Sequence, residues 1–266
     1  MLLFFSSIRN YILSRNILCC LRPKNTKFFL PQSGNFQEDE NQNELELEGD
    51  LEYYRRSAPN SLIKVQMHYD RGFLRKFNWS HKKAKQYMID TQVHIKTHFC
   101  HKSLGTKLHV QFVGQLKYHK HLDLHANGQD IRRLAYDTPG AVSTYPDLNV
   151  FFAHDDREKD RGIGIALRDT LCSNNYKRRV SISEWQEDVS AMASIISHEM
   201  AHSMGMRDIP NNTYACYGEG LMSYGPSRPA VWSECSKKRF QEFYQEKKKQ
   251  KNWCLKSKFL GPFVPI

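Results

Sequence analysis

The run His198-Glu199-Met200-Ala201-His202-Ser203-Met204-Gly205-Met206-Arg207-Asp208 decides how this chain is read. It contains HExxH inside a segment, Trp185 to Met204, whose pattern predicts a long helix. A spacing of four residues puts both imidazoles on one helical face, where they can reach one metal ion. Glu199, beside the first histidine, can reach a metal-bound water without binding the metal itself. Val189, Met192, Ala193, Ile196 and Met200 form an apolar stripe. His198 is half a turn out of phase with Val189 at about 100° per residue. The helix can therefore bury one side and present its ligands from the other.

The residues after HExxH sharpen the expectation. Gly205 can take a left-handed conformation and stop the helix, letting the chain turn back toward the metal. Asp208 stands where HExxHxxGxxH would place a third histidine, and a carboxylate is an accepted zinc ligand. The alternative is that Asp208 caps a turn before Pro210. Met222, in Leu221-Met222-Ser223-Tyr224, lies where a Met-turn would sit beneath such a site.

Working outward, Ile63, Val65 and Met67 alternate as in a half-buried strand, and Leu108, Val110 and Phe112 do the same. Ser80 can cap a helix striped by Ala84, Met88, Thr91, Ile95 and Phe99. Asp130 to Tyr136 reads as a short helix, Leu148 to Ala153 and Gly162 to Leu167 as strands, and Cys235 to about Lys249 as a last helix. Strands alternating with helices imply an α/β or α+β sheet domain. Residues 1–60 read as a flexible leader, with an acidic stretch from Gln37 to Glu52 and a possible processing site at Arg55-Arg56. A folded domain spans 61–266.

The chain of 266 residues carries a formal charge of +11. Residues 1–52 hold five basic and eight acidic residues, leaving 34 basic against 20 acidic beyond them. A body this basic either has a solvated surface or attracts anionic glycans, acidic proteins or nucleic acid. No nucleic-acid motif accompanies it. No apolar run reaches the roughly 18 residues of a membrane span. Arg9 and Arg15 interrupt the N-terminal apolar segment, which makes a poor signal peptide. Seven cysteines, none in CxxC, exclude a cysteine zinc ribbon. The last four could form two disulfides, as in an oxidising compartment. The sequons Asn78-Trp79-Ser80 and Asn211-Asn212-Thr213 are compatible with secretion. His94, His98 and His101 sit at helical spacing, but without a carboxylate or cysteine pattern they read as solvated or packed.

From about Arg161 to Leu255 the chain resembles the C-terminal half of an adamalysin (reprolysin or ADAM-type) metzincin catalytic domain. The motifs are Gly162-Ile163-Gly164-Ile165-Ala166-Leu167, then Thr170-Leu171-Cys172-Ser173, then the zinc helix from His198 to Met206. Gly205-Met206-Arg207-Asp208-Ile209-Pro210 resembles the decysin branch, where Asp replaces the third histidine. The resemblance implies a metzincin-like α/β fold: a twisted, mostly parallel sheet with one antiparallel edge strand, long helices and a small C-terminal subdomain. It implies a secreted zinc endopeptidase with one Zn2+ held by His198, His202 and Asp208, and Glu199 as general base. Gly164, Ile165, Ala166 and Leu167 would line extended peptide by β-augmentation. The family's disulfides map to Cys172–Cys254 and Cys216–Cys235, and Ser227 to Val231 would wall a specificity pocket. Fewer cysteines precede the Met-turn than is usual, which leaves no third disulfide and leaves Cys19, Cys20 and Cys100 unassigned. A catalytically weak pseudoprotease acting as a secreted binding protein is the alternative.

Overall fold

In the computed structural model, residues 61–106, 108–154, 163–209, 216, 220–223, 230–250 and 253–255 are described. The leader 1–60 with Arg55-Arg56, Cys19 and Cys20, the sequon at Asn211, Gly162, Tyr224 and most of the Ser227–Val231 wall lie outside them.

The core element is a mixed sheet built on β1 (Ser61–Asp70), β2 (Leu108–Phe112), β3 (Lys117–His119), β4 (Leu148–Ala153), β5 (Gly164–Ala166) and β6 (Val180–Glu184). The order is β2-β1-β4-β6-β5, with β3 also pairing β1. Every pairing is parallel except that of the edge strand β5, which runs antiparallel to β6 with Ile165 opposite Ile182. The expected sheet, mostly parallel with one antiparallel edge, is the one observed.

Burial explains the strand patterns. Ile63, Val65 and Met67 are buried while Leu62, Lys64 and Gln66 are only half-buried, so the first part of β1 alternates. Central β4, Leu-Asn-Val-Phe-Phe-Ala, is buried at all six positions because both of its faces are covered. Val150 and Phe152 join the larger core with the long helices, whereas Phe151 and Ala153 join a second cluster with Leu134, Val142 and Ile182. Strand β6 escaped the sequence pattern. Its Ser181 and Ser183 are fully buried, so the face opposite Val180 and Ile182 is polar yet enclosed. The short helix α1 (Arg71–Lys76) and β3 were likewise not expected.

Helix α2 (His81–Cys100) is capped by Ser80, whose Oγ accepts from Lys83 N. Its predicted stripe, Ala84 to Phe99, is buried at every named position. Beyond α2 come the short α3 (Gly128–Arg132), continued by one wider turn to Asp137, then α4 (Val189–Ser203) and α5 (Glu234–Lys248). Helix α4 starts four residues later than its sequence pattern implied. Trp185 N still bonds to Ala153 O, extending the sheet, and Asp188 caps the helix by accepting from Ala191 N at 2.6 Å. The α4 helix is also buried on both sides: the side that presents the ligands has only a few per cent exposure at His198, Glu199 and His202.

The turn after α4 aims the chain back. Gly205, at φ +81°, donates to His202 O, and Met206 donates to Ala201 O, the paired bonds of a Schellman turn. A Cβ at Gly205 would also meet Asp169 Oδ1 at 2.8 Å and Phe243 at 3.0 Å, so side chain and backbone both require glycine. Disulfides join Cys172 to Cys254 and Cys216 to Cys235, tying the segment after β5 and the segment before Met222 to the C-terminal part of the chain. Cys100 is buried at the end of α2. Among the described residues, no helix is long and apolar enough to cross a membrane.

Candidate metal centre

Helix α4 brings His198 and His202 one turn apart, their rings nearly perpendicular with centroids 4.7 Å apart. Each ring is oriented through Nδ1. His198 Nδ1 meets Leu221 O at 2.7 Å, and His202 Nδ1 meets Met206 O at 3.0 Å. With Nδ1 bonded to a carbonyl, Nε2 of each ring points at the carboxylate of Asp208. Asp208 Oδ1 lies 2.9 Å from His198 Nε2 and 3.3 Å from His202 Nε2.

The Schellman turn delivers Asp208, and the following strand-like contact holds it there. Ile209 N bonds to Met222 O at 2.9 Å, and Ile209 bridges Ser223 in parallel. Leu221 N bonds in turn to Val231 O. Gly220, at φ +82°, lies so close to that chain that a Cβ would sit 2.7 Å from Val231 O. Met222 is fully buried, next to the residue whose carbonyl orients His198. The loop under the site and the helix above it are thus one hydrogen-bonded unit.

The donor set fits a divalent transition metal. Both nitrogens of each ring face an acceptor, while a neutral imidazole carries only one N–H. A cation where the two Nε2 atoms and Oδ1 converge removes that conflict. Tetrahedral ligands at zinc bond lengths stand about 3.3–3.5 Å from one another, close to the 2.9 and 3.3 Å found here. The three ligand atoms all lie within 4.8 Å of one another and form the one such group of three or more among the described residues. Without metal, the surroundings of His202 favour its charged form over the free imidazole's balance. Burial opposes charge on His202, but the hydrogen bond to Asp208 and the charge of Glu199 outweigh it and raise its pKa. Burial likewise pushes the Asp208 pKa up, yet the hydrogen bonds from His198 and His202 hold it far below the usual carboxylate range.

Glu199 is buried, with its carboxylate against the edge strand. A Cβ on Gly164 would meet Glu199 Oε1 at 2.5 Å. Gly164, Ile165, Ala166 and Leu167 are all half-buried beside it. Sequence reasoning did not single out Arg168, which follows directly and whose guanidinium lies 3.6 Å from Asp208 Oδ2. In the sequence it is only a basic residue at the end of the expected edge strand, 40 positions from Asp208.

The other histidines do other work. His98 is buried, with Nδ1 2.8 Å from Ser197 Oγ, so it joins α2 to α4. His101 Nδ1 accepts from Ser103 N. His119 bonds to His68, whose other nitrogen meets Asn149 Oδ1 at 2.9 Å. Asn78 and Trp79 form an exposed left-handed turn before the Ser80 cap.

Residues 143–258 match the Reprolysin (M12B) family zinc metalloprotease. The matched span contains His198, His202 and Asp208. Over 83 residues the chain is 32% identical to "Disintegrin and metalloproteinase domain-containing protein adm-2" of Caenorhabditis elegans, a match covering 30% of this chain and 9% of that protein. The chain thus spans less than a tenth of the length of the worm protein. A solved structure described as "Structure of a chaperone-substrate complex" aligns at TM-score 0.47 and 14% identity, covering 66% of this chain and 30% of that one. The mixed sheet with its antiparallel edge and long helices agrees with a reprolysin-type metzincin catalytic domain.

Proposed function

We propose, on the premise of the reprolysin match over residues 143–258, that this chain is a zinc-dependent endopeptidase whose catalytic domain occupies residues 61–266. One observation carries the proposal: two imidazoles with Nδ1 bonded to backbone carbonyls turn Nε2 onto a single carboxylate oxygen. His198, His202 and Asp208 are the residues that hold the metal, an Asp-ligand set like that of the decysin branch. Zinc bound there would supply Lewis-acid activation of water and of the scissile carbonyl. Glu199 takes the proton from the attacking water and delivers it to the leaving amine. Gly164 to Leu167 bind an extended peptide along the open edge of β5, beside the Glu199 carboxylate. Met222 supports the metal site from below.

The two disulfides and the reprolysin match support a secretory-pathway location, and extracellular proteins are the proposed substrates. The excess of basic residues beyond position 52 supports contact with anionic glycans. A second reading, a binding protein with little turnover, is favoured by the anionic third ligand, which leaves less positive charge on zinc than three neutral histidines would. Metal analysis of the purified protein, with peptide-library cleavage measured with and without a chelator, tests the proposal. One zinc per chain with chelator-sensitive cleavage supports the peptidase. One zinc without cleavage supports the binding protein, and absence of zinc refutes both.

A further inference from the structure

We infer that Arg168 is a positioning residue that keeps Asp208 bound to metal through one oxygen only, so that a coordination position stays open; the inference rests on the metal-centre reading above. The two oxygens of Asp208 have separate surroundings. Oδ1 faces both His Nε2 atoms, whereas Oδ2 faces the Arg168 guanidinium at 3.6 Å. A carboxylate can bind a cation through one oxygen or through both. Catalytic zinc sites need three protein ligands and one free position. A second Asp208 oxygen would occupy that position with the protein's own atom.

The backbone of Arg168 is built to stay in place. Asp169 N donates to His202 O at 3.2 Å, and Leu171 N donates to Ser203 O at 3.0 Å. Leu167 O accepts from both Thr170 Oγ1 and Ser203 Oγ. Asp169 takes a left-handed conformation at φ 56°, and that bend turns the chain just after Arg168. These bonds fix the Arg168 backbone to the last turn of α4, which keeps its guanidinium within reach of Asp208. The side chain is 58% exposed, and exposed ion pairs add little to stability. A role in stability therefore does not account for the placement. A guanidinium is permanently charged and a good carboxylate partner, so it can compete with the metal for Oδ2 at any working pH.

The test uses the full chain loaded with cobalt or zinc, comparing parent, Arg168→Gln and Arg168→Lys. Gln keeps much of the length and loses the charge; Lys keeps the charge. The visible spectrum of bound Co2+ reads coordination number, with four-coordinate sites absorbing more strongly than five-coordinate ones. Arg168→Gln should keep its metal but absorb more weakly. Its kcat should fall about 10–100-fold, as losses of partners around metal ligands do, with KM changed far less. Arg168→Lys should recover part of both. A parental spectrum and kcat in Arg168→Gln overturn the inference, as does a variant that no longer holds cobalt, since the role would then be ligand assembly. A parent chain that binds neither metal instead overturns the metal-centre reading.

Discussion

Gly164 and Glu199 are in such close contact that a single added methyl on the glycine would stand 2.5 Å from Glu199 Oε1 and 2.7 Å from Cγ. The edge strand and the proposed base therefore share one volume. Gly164→Ala should push the carboxylate aside while leaving His198, His202 and Asp208 in place. Peptide cleavage should fall tenfold or more, roughly the low end of what general-base displacement costs, and zinc content should stay at the parental level. A Gly164→Ala enzyme with parental kcat would show that the carboxylate has room to move.

Glu199→Gln keeps the size of the side chain but cannot accept a proton. Loss of about three decades or more in kcat is expected when base catalysis and metal activation act together. Metal analysis should still find zinc. Near-normal turnover would remove Glu199 from the mechanism.

Asp208 separates ligand from bystander. Asp208→Ala should weaken zinc by roughly two decades or more, beyond the usual loss for a partner one shell out. Asp208→His should retain the metal. Chelator competition measures both, and zinc bound to Asp208→Ala as tightly as to the parent would exclude the carboxylate from the ligand set.

The two disulfides close loops with sequence separations of 82 and 19 residues. Chain entropy predicts stabilisation of about 4.5 kcal/mol for Cys172–Cys254 and about 3 kcal/mol for Cys216–Cys235. Paired Cys→Ser variants should lose stability in that order by chemical unfolding. Non-reducing peptide mapping of secreted protein should recover both pairs, and free thiols at these four positions would contradict the structure.

Acid should destabilise the fold through buried histidines other than the metal ligands. Burial, then the neighbouring His119, lowers His68 to about 3. Burial lowers His119 to about 4, with Lys117 adding to it. Burial, then His94 and His101, lowers His98 to about 4. The unfolded chain binds these protons near pH 6.5 and the folded chain does not, so their stability is present above 6.5 and is lost as pH falls toward 4. Asp70 acts the other way. Burial raises it to about 8 against the amides of Phe73 and Leu124, so its contribution is full below 3.8 and is lost as pH rises through 8. Burial also raises Asp147, which acts as Asp70 does, so three histidines stand against two carboxyls on the acid side. Thermal midpoints of zinc-loaded protein, in which the metal keeps His202 from taking up a proton, should peak near pH 6–7 and fall by several degrees toward pH 4.5; a flat profile across that range would contradict this account.

The parts of the molecule that could be read in advance are those where one local pattern answers to one physical demand. HExxH followed by glycine and Asp208 marked the metal face, and the stripe from Ala84 to Phe99 marked a helix packed on a core. Strand β6 could not be read this way, because Ser181 and Ser183 are polar residues at buried positions. The start of α4 was misplaced because Trp185 is apolar and fits a helical stripe, yet its amide belongs to the sheet. Arg168 was missed for a different reason. Its partner, Asp208, is 40 positions away, and only the turn at Gly205 brings the two together.

Both imidazoles take their orientation from main-chain oxygens, at Leu221 and Met206, and not from another side chain. Such a site is robust to drift in side-chain identity, because any residue at 206 or 221 supplies the same carbonyl. It is fragile to changes in chain length. Deleting one residue between Gly205 and Asp208, or inserting one between Gly220 and Met222, would move an acceptor by about 3.5 Å and leave a ring free to turn. Variation at 206 and 221 should therefore be freer in residue type than in the number of residues around them.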